Sequence, residues 1–190
     1  MGVESERVRT FAAIFPSPEV ASELSRCIAS LSAKHYDVKW VEPLNLHVTL
    51  RFFGEIEKQL LPQLEAAIQA ACAGVEPFEL KVEGVGTFPP KGTPRVIWAG
   101  LTEGSERLAN LFEMVDTAIK PLGFPRERFT AHFTLGRVRS AHNLSSLKKD
   151  LLSLEGKQFG TFQVSQVKLM KSELSRSGPS YSELAHFYLS

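Results

Sequence analysis

The sequence predicts an α+β protein built from two related halves, each a mostly antiparallel sheet with helices on one side. Three observations lead to this expectation. The length of 190 residues suits one domain, or two small lobes that share a core. Strand and helix patterns alternate along the chain. One short motif occurs twice, as His47-Val48-Thr49-Leu50 and as His132-Phe133-Thr134-Leu135, which is typical of an internal repeat.

The first half contains the capping and turn residues expected at the ends of short strands and helices. Ser17, between two prolines, is a candidate N-cap for the first helix. The run Pro89-Pro90-Lys91-Gly92-Thr93-Pro94 predicts a loop between two strands. The predicted elements are strand 7–15, a helix from Pro18, a short segment 38–41, strand 46–53 ending at Gly54, helix 57–73, and strands 78–88 and 95–101.

The second half repeats this kind of pattern. Pro121 and Gly123 are expected to end a third helix, and Ser175-Arg176-Ser177-Gly178-Pro179 is a turn sequence between the last two strands. The predicted elements are helix 105–120, strand 130–138, helix 144–152, strand 162–172 and strand 181–189. Antiparallel strands with helices on one side define the α+β class.

Each copy of the repeated motif places two polar side chains on one strand face. Side chains alternate along a strand, so His47 and Thr49 point the same way, with their Cα atoms roughly 6–7 Å apart. The same holds for His132 and Thr134. Two such strands facing each other would present two imidazoles and two hydroxyls to a shared cleft. The four residues are therefore candidate site residues.

Three arginines are candidate phosphate ligands, and an exposed surface position is the alternative interpretation of each. Arg51 lies four residues after His47 and is expected on the same strand face. Arg137 lies five residues after His132, which would place it on the opposite face. Gly136 precedes it, and a glycine within a strand often marks a bulge that resets this alternation. Arg95 begins another predicted strand.

Composition excludes some function classes and leaves others open. The net charge of +1 argues against a general polyanion binder. Residues 137–176 carry eight Lys/Arg against three Asp/Glu, a local +5, whereas residues 1–136 carry 14 against 17, or −3. This basic segment is either a solvated face or a patch that attracts phosphates. Cys27 and Cys72 are expected to be buried free thiols. No signal-type or membrane-spanning run occurs, so we expect a cytoplasmic protein without membrane contact.

The motif residues favour acid–base chemistry on phosphate. Imidazole titrates near pH 6.5 or so, and two histidines can supply one base and one acid at about neutral pH. Threonine hydroxyls can donate hydrogen bonds to the non-bridging oxygens of a phosphate as their charge grows. A catalytic zinc site would need a third protein ligand, and neither motif has a matching carboxylate or cysteine. A serine hydrolase would need a nucleophile elbow, which the sequence lacks.

The repeated motif and the segments around it resemble those of a known family. The segments 45–54 and 131–138 around the two motifs are similar to those of the 2H phosphoesterase superfamily, and within it to RNA 2′,3′-cyclic phosphodiesterases, also called the 2′-5′ RNA ligase family. The resemblance spans nearly the whole chain. Residues 9–14, 94–100 and 169–174, together with Gly178 and Tyr181, are similar to the family's opening strand, central strand and closing hairpin.

The resemblance implies a fold, a reaction and roles for the site residues. It implies one bilobal domain over residues 1–190 with a pseudo-twofold axis, a central cleft and one motif per lobe. It also implies a reaction without metal or cofactor, in which RNA 2′,3′-cyclic phosphate ends, such as those of tRNA fragments, become 2′-phosphomonoesters. His47 would then be the proton donor and His132 the acceptor, with Thr49 and Thr134 holding the phosphate.

Other expectations stay open at the level of sequence. Phe11 and Tyr181 are candidates for stacking a terminal base, with core packing as the alternative for Phe11. The protein is expected to be a monomer. Three alternative functions remain: reversible 2′-5′ RNA ligation at the same site, a phosphodiesterase for small cyclic nucleotides, and a non-catalytic protein that binds RNA ends.

Overall fold

A computed structural model describes residues 6–175 and 178–190. The predicted α+β class is confirmed: two antiparallel sheets share one large hydrophobic core, and a smaller cluster of Phe11, Ala13 and Met170 lies apart from it. Arg176 and Ser177, which belong to the predicted turn and the basic segment, lie outside the described residues. No helix in the described part of the chain is both long enough and apolar enough to cross a membrane.

The first sheet has four strands in the order β3-β1-β8-β9. All neighbouring pairs in it are antiparallel. Its strands are β1 (Arg7–Ile14), β3 (Val48–Glu57), β8 (Gln166–Leu174) and β9 (Pro179–Tyr188). The first motif lies at the start of β3, with His47 immediately before the strand.

The second sheet has five strands in the order β2-β6-β5-β4-β7, also antiparallel throughout. Its strands are β2 (Val38–Trp40), β4 (Phe78–Phe88), β5 (Val96–Leu101), β6 (His132–Val138) and β7 (Gln158–Val164). The second motif begins β6. Strands β3 and β6 are in contact although they belong to different sheets, so the two motifs meet where the sheets adjoin.

The four α-helices of the described residues are amphipathic, and each buries one face. They are α1 (Pro18–Ser32), α2 (Leu61–Cys72), α3 (Ser105–Ile119) and α4 (Leu144–Leu152). Helix α1 packs on β7, α4 on β4, and α2 on α3 and on the two strands β8 and β9. The predicted N-cap is confirmed, since the Ser17 hydroxyl accepts a hydrogen bond from the amide of Val20 at 3.4 Å. Cys27 and Cys72 are buried free thiols, as predicted.

The structure corrects three details of the predicted arrangement. Neither sheet is made from one half of the chain, because β8 and β9 complete the sheet that β1 begins. The single strand predicted over residues 162–172 is two strands, β7 and β8, separated at Ser165. Gly54 does not end β3, which continues to Glu57. Gly54 has a φ of 74°, which glycine adopts readily, and it lies next to a bulge at Phe53.

Candidate active site

His47 is held in a defined orientation beside three aromatic rings. Its Nδ1 lies 2.7 Å from the carbonyl oxygen of Asn45, and its Nε2 lies 3.1 Å from the Thr49 hydroxyl. A carbonyl oxygen can only accept, so Nδ1 carries a proton and donates it. In the neutral ring Nε2 is then the basic nitrogen. The ring centroids of Phe11, Tyr181 and Phe15 lie 4.9, 5.3 and 5.8 Å from that of His47.

His132 repeats this arrangement on the other sheet. Its Nδ1 lies 2.7 Å from the carbonyl oxygen of Thr130, again two residues before the histidine. The ring of Phe88 meets it edge-on, with centroids 5.1 Å apart at 82°. Both imidazoles therefore use Nδ1 as a fixed donor to the backbone, which leaves Nε2 for chemistry.

A β-bulge at the leucine of each motif decides which side chains face the cleft. Opposite β3, Ala13 pairs with Thr49 and Ala12 pairs with Arg51, so Leu50 has no partner. Opposite β6, Trp98 pairs with Thr134 and Ile97 pairs with Gly136, so Leu135 has no partner. Two residues against one is the definition of a bulge, and it resets the alternation of faces.

The bulges orient the residues that follow them. After Leu50, Arg51 is buried and Phe52 is exposed; after Leu135, Gly136 is buried and Arg137 is exposed. Phe52 and Arg137 thus occupy equivalent positions at the cleft. The expectation that a bulge would bring Arg137 to the face of the second motif is met, although the unpaired residue is Leu135 rather than Gly136.

Two cavities adjoin at the first motif's threonine. The larger, of about 720 Å³, is lined by His47, Thr49, Thr134 and Arg137, among others. A smaller one of about 350 Å³ is lined by Thr49 and His132. Thr49 and Phe52 line both. The four motif residues predicted from sequence are therefore brought together around one centre.

The environment of each histidine favours its neutral form. Burial lowers the pKa of His47, and the nearby His132 lowers it further, against the opposing effect of the hydrogen bond to Asn45. Burial also lowers the pKa of His132, and the positive charge of Arg137 adds to this, while the hydrogen bond to Thr130 opposes it. An anionic ligand would favour the protonated forms of both rings, so ligand binding and protonation of these histidines are coupled.

The prediction that Arg51 shares the face of His47 is wrong, because the bulge at Leu50 turns its side chain inward. Arg51 is only 1% exposed. Its Nε lies 3.0 Å from a carboxylate oxygen of Asp116 on α3, and its Nη1 forms an ion pair with Glu127. Its guanidinium also donates to the carbonyl oxygens of Phe52 and Pro125. Arg51 thus ties β3 to the loop that leads into the second motif, and it is not available as a phosphate ligand.

The other candidate binding residues differ in whether they line the cavities. Arg95 is exposed just before β5 and does not line either of the two cavities. Phe11 and Tyr181 line the larger cavity, with ring centroids 5.0 Å apart. Phe11 is only 3% exposed and packs against His47, so little of its ring remains for a base. Tyr181 is half-buried, so part of its side chain remains accessible.

Sequence reasoning missed several residues of this site. Arg9, whose guanidinium lies 4.6 Å above the Phe52 ring, and Lys39 both line the larger cavity, and Phe88 lines the smaller one. Alternation in β1 could have drawn attention to Arg9, which is two residues before Phe11. The position of Lys39 depends on the pairing of β2 with β6, which no local pattern shows. Within residues 6–175 and 178–190, no cluster of three or more His, Cys, Asp or Glu could hold a metal ion.

The fold and the site together define a class of phosphoesterase enzymes, in which each of two sheets brings a His/Thr motif to one cleft. Comparisons with known proteins indicate the same class. The family model of LigT-like phosphoesterases matches residues 14–98 and 100–181. An RNA 2′,3′-cyclic phosphodiesterase of Methanothermobacter thermautotrophicus is 35% identical over 96% of this chain and 100% of its own length. One of Aquifex aeolicus is 32% identical over 96% and 97%.

Solved structures show the same fold. A crystal structure of a Thermus thermophilus protein superposes with a TM-score of 0.81 at 29% identity, covering 95% of this chain and 97% of that one. Escherichia coli LigT superposes with a TM-score of 0.76 at 24% identity, covering 98% and 99%. The chain belongs to the LigT-like phosphoesterase family of the 2H phosphoesterase superfamily, and the resemblance noted from sequence is confirmed.

The buried Arg51 pair predicts a large loss of stability on substitution. Arg51→Met leaves the buried carboxylate of Asp116 without its cation, which we expect to lower the free energy of unfolding by about 3–5 kcal/mol. Arg126→Met, which removes an exposed ion pair with Glu113, serves as the control and should cost no more than about 1 kcal/mol. Urea unfolding measures both. The Arg51→Met/Asp116→Leu variant should be more stable than Arg51→Met alone; equal costs for Arg51→Met and Arg126→Met would contradict the assignment.

The electrostatics predict the titration of the two motif histidines. Because burial lowers both pKa values, their imidazole NMR signals should titrate below the ordinary value of about 6.5. Arg137→Gln removes a cation beside His132 and should raise the pKa of that residue. Lys149→Gln, an exposed change on α4, is the matched control. An unchanged or lowered His132 titration in Arg137→Gln would show that the arginine does not act on this ring.

Proposed function

We propose that this protein hydrolyses 2′,3′-cyclic phosphate ends of RNA to 2′-phosphomonoesters, without a metal ion. The observation that carries the proposal is the pair of histidines from separate sheets, each with Nδ1 tied to a backbone carbonyl and Nε2 left for proton transfer. The relatives named RNA 2′,3′-cyclic phosphodiesterase support the substrate class, since they match along nearly their whole length.

Each residue of the centre has a role in this reaction. His132 takes a proton from water as the water oxygen attacks phosphorus. The bond from phosphorus to O3′ breaks, and the imidazolium form of His47 gives its Nε2 proton to that oxygen, which leaves a 3′-hydroxyl, a 2′-phosphate and a neutral His47. Thr49 and Thr134 donate hydrogen bonds to the non-bridging oxygens as their charge grows. Arg137 beside His132 favours the neutral form that a base needs; the acid role of His47 follows the family resemblance, since burial favours the neutral form of that ring as well.

The charge of the site supports a phosphate substrate. Arg9, Lys39 and Arg137 line the larger cavity, against the single carboxylate of Glu42 among its described lining residues. The basic segment 137–176 contributes less than its composition suggested, because Lys168 and Lys171 are paired with glutamates. Positive charge at the cleft therefore comes from three separate strands.

A second candidate function is 2′-5′ ligation, in which an RNA 5′-hydroxyl replaces water. The cavity beside His132 favours it, since its volume of about 350 Å³ exceeds the space that one water molecule needs. Phe88 and Phe129 in its lining offer apolar surface to a nucleoside. Incubation of cyclic-phosphate RNA with a 5′-hydroxyl oligonucleotide should yield a joined product if this candidate is correct, and only hydrolysed ends if it is not.

The proposal predicts the effect of removing either imidazole. His47→Ala and His132→Ala should each lower kcat on a cyclic-phosphate oligonucleotide by at least about 100-fold, the usual scale of a general acid or base. Circular dichroism should show an intact fold, because both rings are partly exposed. Retention of most activity in either variant would refute the two-histidine mechanism. Tight binding of the oligonucleotide without turnover by the unaltered protein would indicate a non-catalytic binder of RNA ends.

The proposal also predicts insensitivity to chelators and a defined product. With EDTA present, the unaltered protein should retain full turnover, and ³¹P NMR should show a 2′-phosphomonoester. Loss of activity with EDTA that returns with a divalent metal would refute the metal-free mechanism. A 3′-phosphate product would mean that the O2′ bond breaks instead.

A further inference from the structure

Two cations stand directly opposite each other at the mouth of the larger cavity. Lys39 on β2 and Arg137 on β6 are register partners, so their side chains share one face of the sheet. Both are exposed, and both line the cavity. Like charges directly opposite one another on a sheet are destabilising. An anion bound between the two side chains would therefore relieve their mutual repulsion.

Glu42, which carries the one carboxylate among the cavity's described lining residues, is not within ion-pair distance of Lys39 or Arg137. Two lysines of β8 are neutralised: Lys168 pairs with Glu183 at 2.7 Å, and Lys171 pairs with Glu173 at 2.8 Å. Lys39 and Arg137 form no ion pair in residues 6–175 and 178–190. Lys39 and Arg137 thus both keep their positive charge at the cleft.

The register gives the distance of this pair from Thr134 of the second motif. Thr134 is opposite Trp98 and Arg137 is opposite Val96, two residues along β5, which corresponds to roughly 7 Å. Lys39 lies one strand further out, roughly 5 Å from Arg137 between Cα atoms. An anion held by Lys39 and Arg137 would therefore be separate from the phosphate at Thr49 and Thr134, at a distance that one nucleotide can bridge.

We propose that Lys39, together with Arg137, binds a phosphate on the 5′ oxygen of the terminal nucleoside, which in RNA is the last internucleotide phosphate. This inference rests on the proposed function and deepens it, because it makes the site selective for a polynucleotide end over a mononucleotide. Contacts to the sugar–phosphate backbone carry no base information. The preference should therefore be independent of base sequence and weaken with salt.

The test compares three substrates that differ only beyond the cyclic phosphate. They are uridine 2′,3′-cyclic phosphate, a uridine dinucleotide ending in the cyclic phosphate, and the same dinucleotide with an uncharged methylphosphonate linkage. The unaltered protein should show a kcat/KM for the charged dinucleotide roughly two- to fivefold above that for the methylphosphonate, the scale of an exposed ion pair. Equal values for the two dinucleotides would overturn the proposal.

Substitution then identifies the residue responsible. In Lys39→Gln the ratio of charged to uncharged dinucleotide should fall close to one, whereas Lys149→Gln should keep the ratio of the unaltered protein. A ratio that Lys39→Gln leaves unchanged would overturn the role of Lys39. If the unaltered protein turns over none of the three substrates, the proposed function itself is refuted. That result differs from equal turnover of the two dinucleotides, which would overturn only the role of Lys39 and Arg137.

A fourth substrate separates the phosphate from the second nucleoside. Uridine 2′,3′-cyclic phosphate that also carries a 5′-phosphate monoester presents the anion alone. A gain over the plain cyclic nucleotide that Lys39→Gln removes supports a phosphate site at Lys39. No gain for this substrate, beside a gain for the charged dinucleotide, would show that the site holds the second nucleoside and would overturn the phosphate assignment.

Discussion

The bulges at Leu50 and Leu135 are the constraint on which the site depends. In a regular strand every second residue would face the cleft, so the side chain two positions after each threonine would face it. The unpaired leucine shifts this alternation by one residue, so that the threonine and the third residue after it face the cleft. Both leucines are nearly inaccessible, which fixes the bulges in the core. The same distortion on both sheets gives the two halves of the site matching geometry.

The differences between the two halves follow from the residues at matching positions. One residue past the first bulge, Arg51 enters the core and binds α3 and the loop before β6; the matching position after the second bulge is Gly136, which has no side chain to bury. The next positions hold Phe52 and Arg137. The first side chain that faces the cleft after each bulge is therefore an aromatic ring in β3 and a cation in β6. The two histidines, which have the same backbone contacts, therefore differ in their charged neighbours: Arg137 acts on the ring of His132.

Local pattern predicted the strands, the helices and the four motif residues, because alternation and apolar periodicity are properties of neighbouring residues. It failed where partners are distant in sequence. Arg51 was placed on the wrong face since the bulge depends on how β3 pairs with β1. Lys39 escaped notice because its charge becomes significant only opposite Arg137, 98 positions away in the chain. The division of residues 158–174 into two strands likewise depends on their pairing with different sheets.

The pH dependence of kcat/KM tests the central claim most directly, because it reports the ionisation of the free enzyme's acid and base. Measured with a cyclic-phosphate dinucleotide in the presence of EDTA, it should be bell-shaped. Its maximum should lie below pH 6.5 or so, since the pKa values of His47 and His132 are both lowered from about that ordinary value. A profile with a single limb, or one that is flat between about pH 5 and 8, would contradict catalysis by this pair of histidines.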